Sequence, residues 1–447
     1  MANVIKLRKG LNVNLKGKAQ ERLESVETKL YALVPDDFTG VTPKIVVKDG
    51  MAVKAGDALF QDKAHPQVKF VSPVSGTVKA VERGERRKVL ALVVEADGSD
   101  EYVDFGKSDP SSLSKEQVLE KVCLSGLFAF VRQRPYDIIA NPEDSPRAIF
   151  VSAFSSAPLA PSADFMLKGN EAAFQAGLTA LSRIAPTYLS IHNNLSSDAF
   201  KNAKDVKTYV FDGPHPAGNV GVQIGNIAPV NKGETVWTLS LEPVIFIGRL
   251  FLEGKVDLTK TVALVGSEVK DPHYLKLKMG ASLELLNGRC NEDRPLRYIS
   301  GDPLTGKKVT PADYLGAFSS QITVLPEGSD NDELLGWIMP RFNEFSTSRS
   351  YFSWLCPKKE YALDCRIKGG ERHMIMSGEY DSVLPMDIFP EQLLKAVIAG
   401  DIDRMEALGI YEIAPEDVAL CEFVCSSKVP LQRILREGLD ALRKEMA

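Results

Sequence analysis

The residues with the most chemical potential in this chain sit in three short stretches. The first is Ser125-Gly126-Leu127-Phe128-Ala129-Phe130, followed closely by Arg132, Arg134 and Tyr136. A turn that holds a flavin or dinucleotide phosphate needs several glycines, because backbone N–H groups must approach the phosphate closely. One glycine is present here, and Phe128 and Phe130 would fill the space a phosphate requires. No G-x-G-x-x-G and no G-x-x-x-x-G-K-[ST] occurs anywhere in the chain. The aromatics and arginines that follow suit an amphipathic ring such as a quinone, by stacking and by hydrogen bonds to its carbonyls. They suit a protein interface equally well.

The second stretch is Asp212-Gly213-Pro214-His215-Pro216-Ala217-Gly218-Asn219, a loop that follows a strand pattern. Ligands of α/β sheets collect where strands run out into such loops. His215 suits an acid, a base or a hydrogen-bond donor. The plainer reading is a rigid Pro/Gly loop that shapes the sheet edge. The third is Cys421 and Cys425, one helical turn apart. Two thiolates cannot complete a four-ligand site. The five histidines (His65, His192, His215, His273, His373) include no pair with metal-site spacing, so no metal is expected.

These residues need elements to hold them, and the elements are legible in part. Val47–Leu90 contains two similar halves of short alternating strands punctuated by Gly50, Gly56, Gly76 and Gly84. Around Ser72–Val78 it resembles the lipoyl/biotinyl carrier fold, a barrel-sandwich of two related hairpins. Asp62-Lys63-Ala64 matches the tripeptide that such carriers modify. His65-Pro66-Gln67 then lengthens and stiffens the tip, which argues against lipoylation of Lys63. The expected organisation is four units: a barrel-sandwich over 1–103, a Rossmann-like α/β domain over 104–254, a small α+β domain over 255–330, and a mainly helical domain over 331–447. Within them the patterns predict helices over Ser112–Ser125 and Glu171–Ile184. Strands are predicted at Ile149–Phe154, Tyr188–Ile191, Thr208–Phe211 and Thr261–Val265. Val4–Leu15 reads as an opening strand-turn-strand. Cys425–Lys444 reads as an amphipathic tail. Phe345–Trp354 is a polar–aromatic loop with the composition of a docking surface.

The chain has 447 residues and a formal net charge of −5, so it offers no broad basic field for nucleic acid. No apolar run reaches the roughly 20 residues a spanning helix needs. The N-terminus lacks the apolar core of a signal peptide. The six cysteines are expected as reduced thiols.

Four segments in order narrow the reading: Ile5–Leu11, Gly213–Gly218, Leu264–Tyr274 and Leu420–Val429. Together they resemble the A-subunit family of the sodium-translocating NADH:quinone reductases, over the length of the chain. The resemblance implies the peripheral subunit of a six-subunit complex, on the cytoplasmic face of the inner membrane, with membrane subunits as partners. Such a complex oxidises NADH, reduces ubiquinone or menaquinone and exports sodium. The flavins, the iron–sulfur centre and the NADH site would lie on other subunits. This chain would bind no cofactor and would contribute to the quinone site, its 255–330 unit being of the SLBB or ubiquitin-like kind. Phe128, Phe130, Arg132, Arg134, Tyr136 and His215 are the candidates to face the quinone. The family also resembles the C subunit of Rnf complexes and the flavoprotein subunit of complex I, whose glycine-rich flavin loop falls at Gly126–Phe130 here. The rival expectations are a flavin-dependent NADH dehydrogenase, a carrier modified at Lys63, and a pure scaffold.

Overall fold

The computed structural model describes residues 3–329, 344–347 and 352–446. The polar–aromatic loop at Phe345–Trp354 falls partly outside them, at residues 348–351; Phe345 itself packs on Tyr361 and Phe423.

A seven-stranded sheet forms the centre. Its order is Asn3–Lys6, Lys207–Asp212, Thr187–His192, Ile149–Ser152, Val236–Ser240, Arg132–Arg134, Ile138–Ile139. The first five strands are parallel, and the last two form an antiparallel edge. Ile149–Ser152 stands in the middle of that order. From it the chain first builds outward on one side, then returns to place Val236–Ser240 on the other. This reversal opens a crevice at the carboxyl ends of these two strands.

Both faces are covered at the centre of the sheet, where Ile149–Ser152 and Val236–Ser240 are mostly apolar and buried, whereas the outer strand Asn3–Lys6 is largely exposed. Phe150 and Val236 point to one face, with Ile224 of the helix Val220–Ile227. Ile149, Val151, Trp237 and Leu239 point to the other, under the helices Glu171–Ile184 and Leu241–Glu253. Those two helices touch backbone to backbone. A Cβ on Gly248 would stand 1.6 Å from the Ala173 carbonyl oxygen. The apolar run at Pro243–Leu252 is thus a buried helix. No helix among the described residues is long and apolar enough to cross a membrane.

The opening segment departs from its sequence pattern. Asn3–Lys6 is a strand, but it joins the central sheet beside Lys207–Asp212. Val13 and Leu15 are buried without forming a strand; Leu15 makes a single bridge to Tyr361. Gln20–Ser25 then completes a second sheet, of order Lys307–Val309, Leu296–Ser300, Gln321–Pro326, Thr259–Val265, His273–Lys278, Gln20–Ser25. Alternation predicts a strand but not its partner, so the local pattern does not reveal these pairings.

The barrel-sandwich consists of a four-stranded and a three-stranded sheet between Leu30 and Ala96. Phe60 and Phe70 stack inside it at 4.3 Å. Lys63 is exposed on the hairpin loop, and its N–H donates to the Thr42 carbonyl at 2.8 Å. Buried Asp62 accepts from the N–H groups of Thr42 and Ala64, which ties down the base of the loop. The C-terminal unit is helical, with Pro390–Ala399 and Leu431–Met446 packing Leu393, Leu394, Leu435, Leu439 and Leu442 into a core of its own.

Gly248→Val would wedge the two central helices apart. Overpacking of this kind costs about 1–3 kcal/mol or more. A thermal melt of the variant should fall by several degrees, whereas Gly370→Ala, where a Cβ meets nothing within 4 Å, should melt like the parent.

Candidate functional site

The crevice at the sheet's carboxyl edge is a cavity of about 490 Å³. Ser152 and Ser240 end two adjacent parallel strands, in register with each other, and form its floor. The loop holding His215 and Gly218 forms one wall. Residues 300–307 and 316–321 of the second sheet roof it, and Pro415, Glu416 and Gln432 of the helical unit close one end. The helices Val220–Ile227 and Leu241–Glu253 both begin at its lining, and neither has a side chain capping its first turn. Free N–H donors therefore sit at the cavity's edge.

Three of the six sequence candidates line this cavity: Phe130, Arg132 and His215. Phe130 is buried in an aromatic group, edge-on to Phe246 at 5.6 Å and to Phe318 at 5.9 Å. The Arg132 guanidinium lies 5.4 Å over the Phe318 ring and pairs with Asp137 at 3.1 Å. His215 is 4% exposed. Its Nδ1 is 3.0 Å from the Ser156 hydroxyl, and its Nε2 has no partner. Burial pulls the imidazole down to about 4, against an opposing pull from Asp302, so it is neutral at physiological pH.

The other three lie elsewhere. Phe128 is fully buried, edge-on to Trp237 at 5.2 Å. Tyr136, at φ +77°, packs against Tyr411 of the helical unit. Arg134 is 1% exposed and holds that unit in place: its guanidinium donates to Asp417 at 3.1 Å and Glu416 at 2.8 Å, with Asp137 at 3.8 Å. Burial and the neighbouring acids push the Glu416 and Asp417 carboxyls up, while the arginines hold Asp137 down.

The turn at Gly126 is filled by packing. Leu127–Phe130 is a single 3-10 turn with all four side chains buried. Gly126, at φ +76°, lies so close to the barrel-sandwich that a Cβ would stand 2.4 Å from Val71. At the third motif, Cys421 and Cys425 are buried beside Tyr380, whose hydroxyl lies 2.9 Å from the Cys425 sulfur. Burial pushes the Cys421 thiol far up, so it is no thiolate. Among the described residues no group of three or more His, Cys, Asp or Glu is placed to hold a metal ion.

Sequence reasoning missed several groups of the lining and one that supports it, Ser156, the partner of His215. Glu242 is buried in the first turn of its helix. It is paired through one oxygen with buried Lys260 at 3.0 Å, while its other oxygen has no partner. Ser156, Phe318 and Asp302 come from loops with no motif. The available signal was positional: each lies at or near the carboxyl end of a parallel strand, or faces one from the second sheet.

The architecture defines a class: a barrel-sandwich joined to a parallel α/β domain and a small α+β domain, with a cleft at the junction. Three domain families match in this order. They are the NqrA N-terminal barrel-sandwich hybrid domain over residues 5–97, the NqrA second alpha/beta domain over 113–256, and the NQRA C-terminal domain (SLBB) over 261–311. Curated relatives are named as the A subunit of Na(+)-translocating NADH-quinone reductase. The protein of Serratia proteamaculans is 39% identical over 450 residues, and that of Neisseria meningitidis serogroup C is 37% identical over 448. Each alignment covers 99% of this chain and 100% of the relative. The chain belongs to the family of A subunits of Na(+)-translocating NADH-quinone reductases. Among solved structures, an NAD+-reducing [NiFe]-hydrogenase aligns at 12% identity with a TM-score of 0.35, covering 49% of this chain and 48% of that one.

Arg134→Met would leave three buried or half-buried acids without their common partner, at a cost of about 3–5 kcal/mol. Adding Glu416→Gln and Asp417→Asn should recover much of that loss. Chemical denaturation of the three forms checks both directions.

Proposed function

We propose that this chain is the peripheral A component of a six-subunit sodium-translocating NADH:quinone reductase. It sits on the cytoplasmic face of the inner membrane against the membrane subunits. In this reading NADH oxidation, the flavins and the iron–sulfur centre belong to the partner subunits, and this chain carries no redox cofactor. Its contribution is to bind the quinone whose reduction is coupled to sodium export.

The observation that carries the reading is the cavity at the topological switch point, in a chain aligned end to end with relatives of that name. Its volume lies within the roughly 300–1,000 Å³ of small-molecule sites. One wall is aromatic, with Phe130 and Phe318 presenting faces or edges to a flat ring. Elsewhere the lining holds donors, the uncapped N–H groups at the starts of two helices, with the neutral His215 beside them. A quinone has this polarity, an apolar ring with an acceptor oxygen at each end. Arg132 adds a fixed positive charge beside the ring, suited to electron density that grows on reduction. A stand-alone flavin dehydrogenase is disfavoured because the Gly126 turn is spent on packing against the barrel-sandwich.

Two outcomes are expected. Tagged chain recovered from solubilised membranes should bring down membrane subunits with sodium-dependent NADH:quinone activity; recovery of the chain alone sinks its placement in that complex. In the assembled complex, Phe130→Leu and Arg132→Lys should raise the quinone KM several-fold and change inhibitor sensitivity, while NADH oxidation by an artificial acceptor is retained. An unchanged KM in both variants removes the quinone from this cavity.

A further inference from the structure

We propose that Glu416 is the acid that protonates the quinone as it is reduced, giving up a proton from its Oε2 at the end wall of the cavity. The inference rests on the quinone reading above and deepens it to one proton.

Glu416 borders the cavity, and its side chain is 33% exposed. Its two oxygens differ. Oε1 accepts from the Arg134 guanidinium at 2.8 Å, which holds the carboxyl in place. Oε2 makes no hydrogen bond among the described residues and is not buried. Arg132 couples this acid to the aromatic wall. It lines the same cavity, its charge acts on Glu416, and its guanidinium lies 5.4 Å over the Phe318 ring. A flat ring laid beside Phe318 can thus turn one carbonyl oxygen toward Arg132 and Glu416.

The surrounding charges explain why this acid holds a proton. Asp137, Glu416 and Asp417 all meet Arg134, which is 1% exposed. Asp137 has a cation of its own in Arg132 at 3.1 Å, and the Arg436 guanidinium donates to its backbone carbonyl at 3.3 Å. Glu416 and Asp417 are left to share one guanidinium, and two carboxylates so placed resist ionising together. Asp417 Oδ2 accepts from the Ala414 N–H at 2.9 Å and from Arg134 at 3.1 Å, bonds that favour its charged form. Its Oδ1 is buried without a partner, so an O–H there would donate to nothing. An O–H on Glu416 Oε2 has open space and an incoming acceptor. Burial, with Asp417 and Asp137 nearby, pushes the Glu416 carboxyl up to about 7 against the pull of Arg134.

Reduction of the quinone takes two electrons, which NADH supplies, and two protons. The Glu416 O–H bond breaks as an O–H bond forms on one quinone oxygen. The other oxygen takes its proton from water, and the quinol leaves. Solvent water then reprotonates the carboxylate, which Arg134 holds in the meantime. Glu416 touches the substrate, whereas Arg134 is a positioning residue acting through it.

The test uses the assembled complex, with ubiquinone-1 as the acceptor. Glu416→Gln keeps an oxygen for Arg134 and removes the proton. It should lower kcat on the order of 100-fold with the ubiquinone-1 KM near the parent, and Glu416→Asp should recover part of the loss. In the parent, kcat should fall as pH rises through about 7, because the acid works only while protonated; Glu416→Gln should lose that limb. A second measurement needs no turnover. Infrared spectra of the full chain should show a protonated-carboxyl band that titrates near neutral pH, shifts when glutamate carries 13C, and is absent from Glu416→Gln. A band that shifts only with 13C-aspartate places the proton on Asp417 and overturns the proposal. So does an unchanged kcat and pH profile in Glu416→Gln; if Phe130→Leu and Arg132→Lys still raise the KM, the quinone reading survives and the acid role fails. A KM unmoved by those two variants overturns both.

Discussion

One aromatic junction ties the architecture together. Phe38 of the barrel-sandwich region meets Phe130 of the α/β domain at 6.5 Å and Phe318 of the small α+β domain at 5.7 Å. Phe38 continues inward to Phe70 at 4.6 Å, and Phe130 continues to Phe246 at 5.6 Å. Each edge-to-face pair adds about 0.5–1.5 kcal/mol beyond the area it buries. More important than the energy is the geometry. Three structural units that share one core place one ring each at a common point, so none can rotate without unpacking the others. The cavity is what remains beside this junction, and its shape is set by it.

A second fastening works by charge. Arg134 stands on the antiparallel edge of the central sheet, and its acidic partners Glu416 and Asp417 come from the helical unit. A buried ion pair is weak evidence of net stability, because desolvation offsets much of the attraction. It is strong evidence of registry, because each guanidinium nitrogen tolerates only a narrow set of acceptor positions. Glu416 belongs to both the fastening and the cavity end wall. The helical unit therefore closes the cavity in one orientation only. The Asn219 amide reinforces this by donating to the Glu416 carbonyl at 2.9 Å from the start of a cavity helix.

Local pattern carries much of the fold. The helix expected at Glu171–Ile184 has those bounds, and the one expected near Ser112–Ser125 spans Lys115–Leu124. Ser114 caps it, with Gln117 closing the capping box. The gaps are in partnership. Nothing local in Asn3–Lys6 says that it pairs with Lys207–Asp212, or that Gln20–Ser25 edges a sheet whose other strands begin at Thr259. The site shows the same division. Phe130, Arg132 and His215 are visible because their types are unusual for their loops. Phe128 and Arg134 look equivalent to them, yet Phe128 and Phe130 leave a 3-10 turn in different directions, and Arg134, which shares a strand face with Arg132, is taken up by Glu416 and Asp417 of the helical unit. Ser156 and Glu242 are invisible because serine and glutamate are ordinary in loops and first turns, and only the fold sets Ser156 against His215 and gives Glu242 a cavity to border.

The Gly126 turn is built for packing. A phosphate-binding turn must keep its backbone N–H groups exposed and the space before them empty. Here four consecutive buried side chains occupy the turn, and its glycine is used to let the barrel-sandwich approach. Filling that space has a structural return, because Phe130 becomes the centre of the three-domain junction. The same side chain that removes room for a phosphate supplies an apolar surface beside the cavity. The lining also carries the charged donors Arg132 and Lys307 and the backbone N–H groups at the starts of the two cavity helices, and the acid Glu242, paired with Lys260, sits in the first turn of one of them. The quinone reading proposed above asks for an apolar surface beside a flat ring and donors for its oxygens, and Phe130 with Phe318 on one side and the helix starts on the other are the groups it draws on.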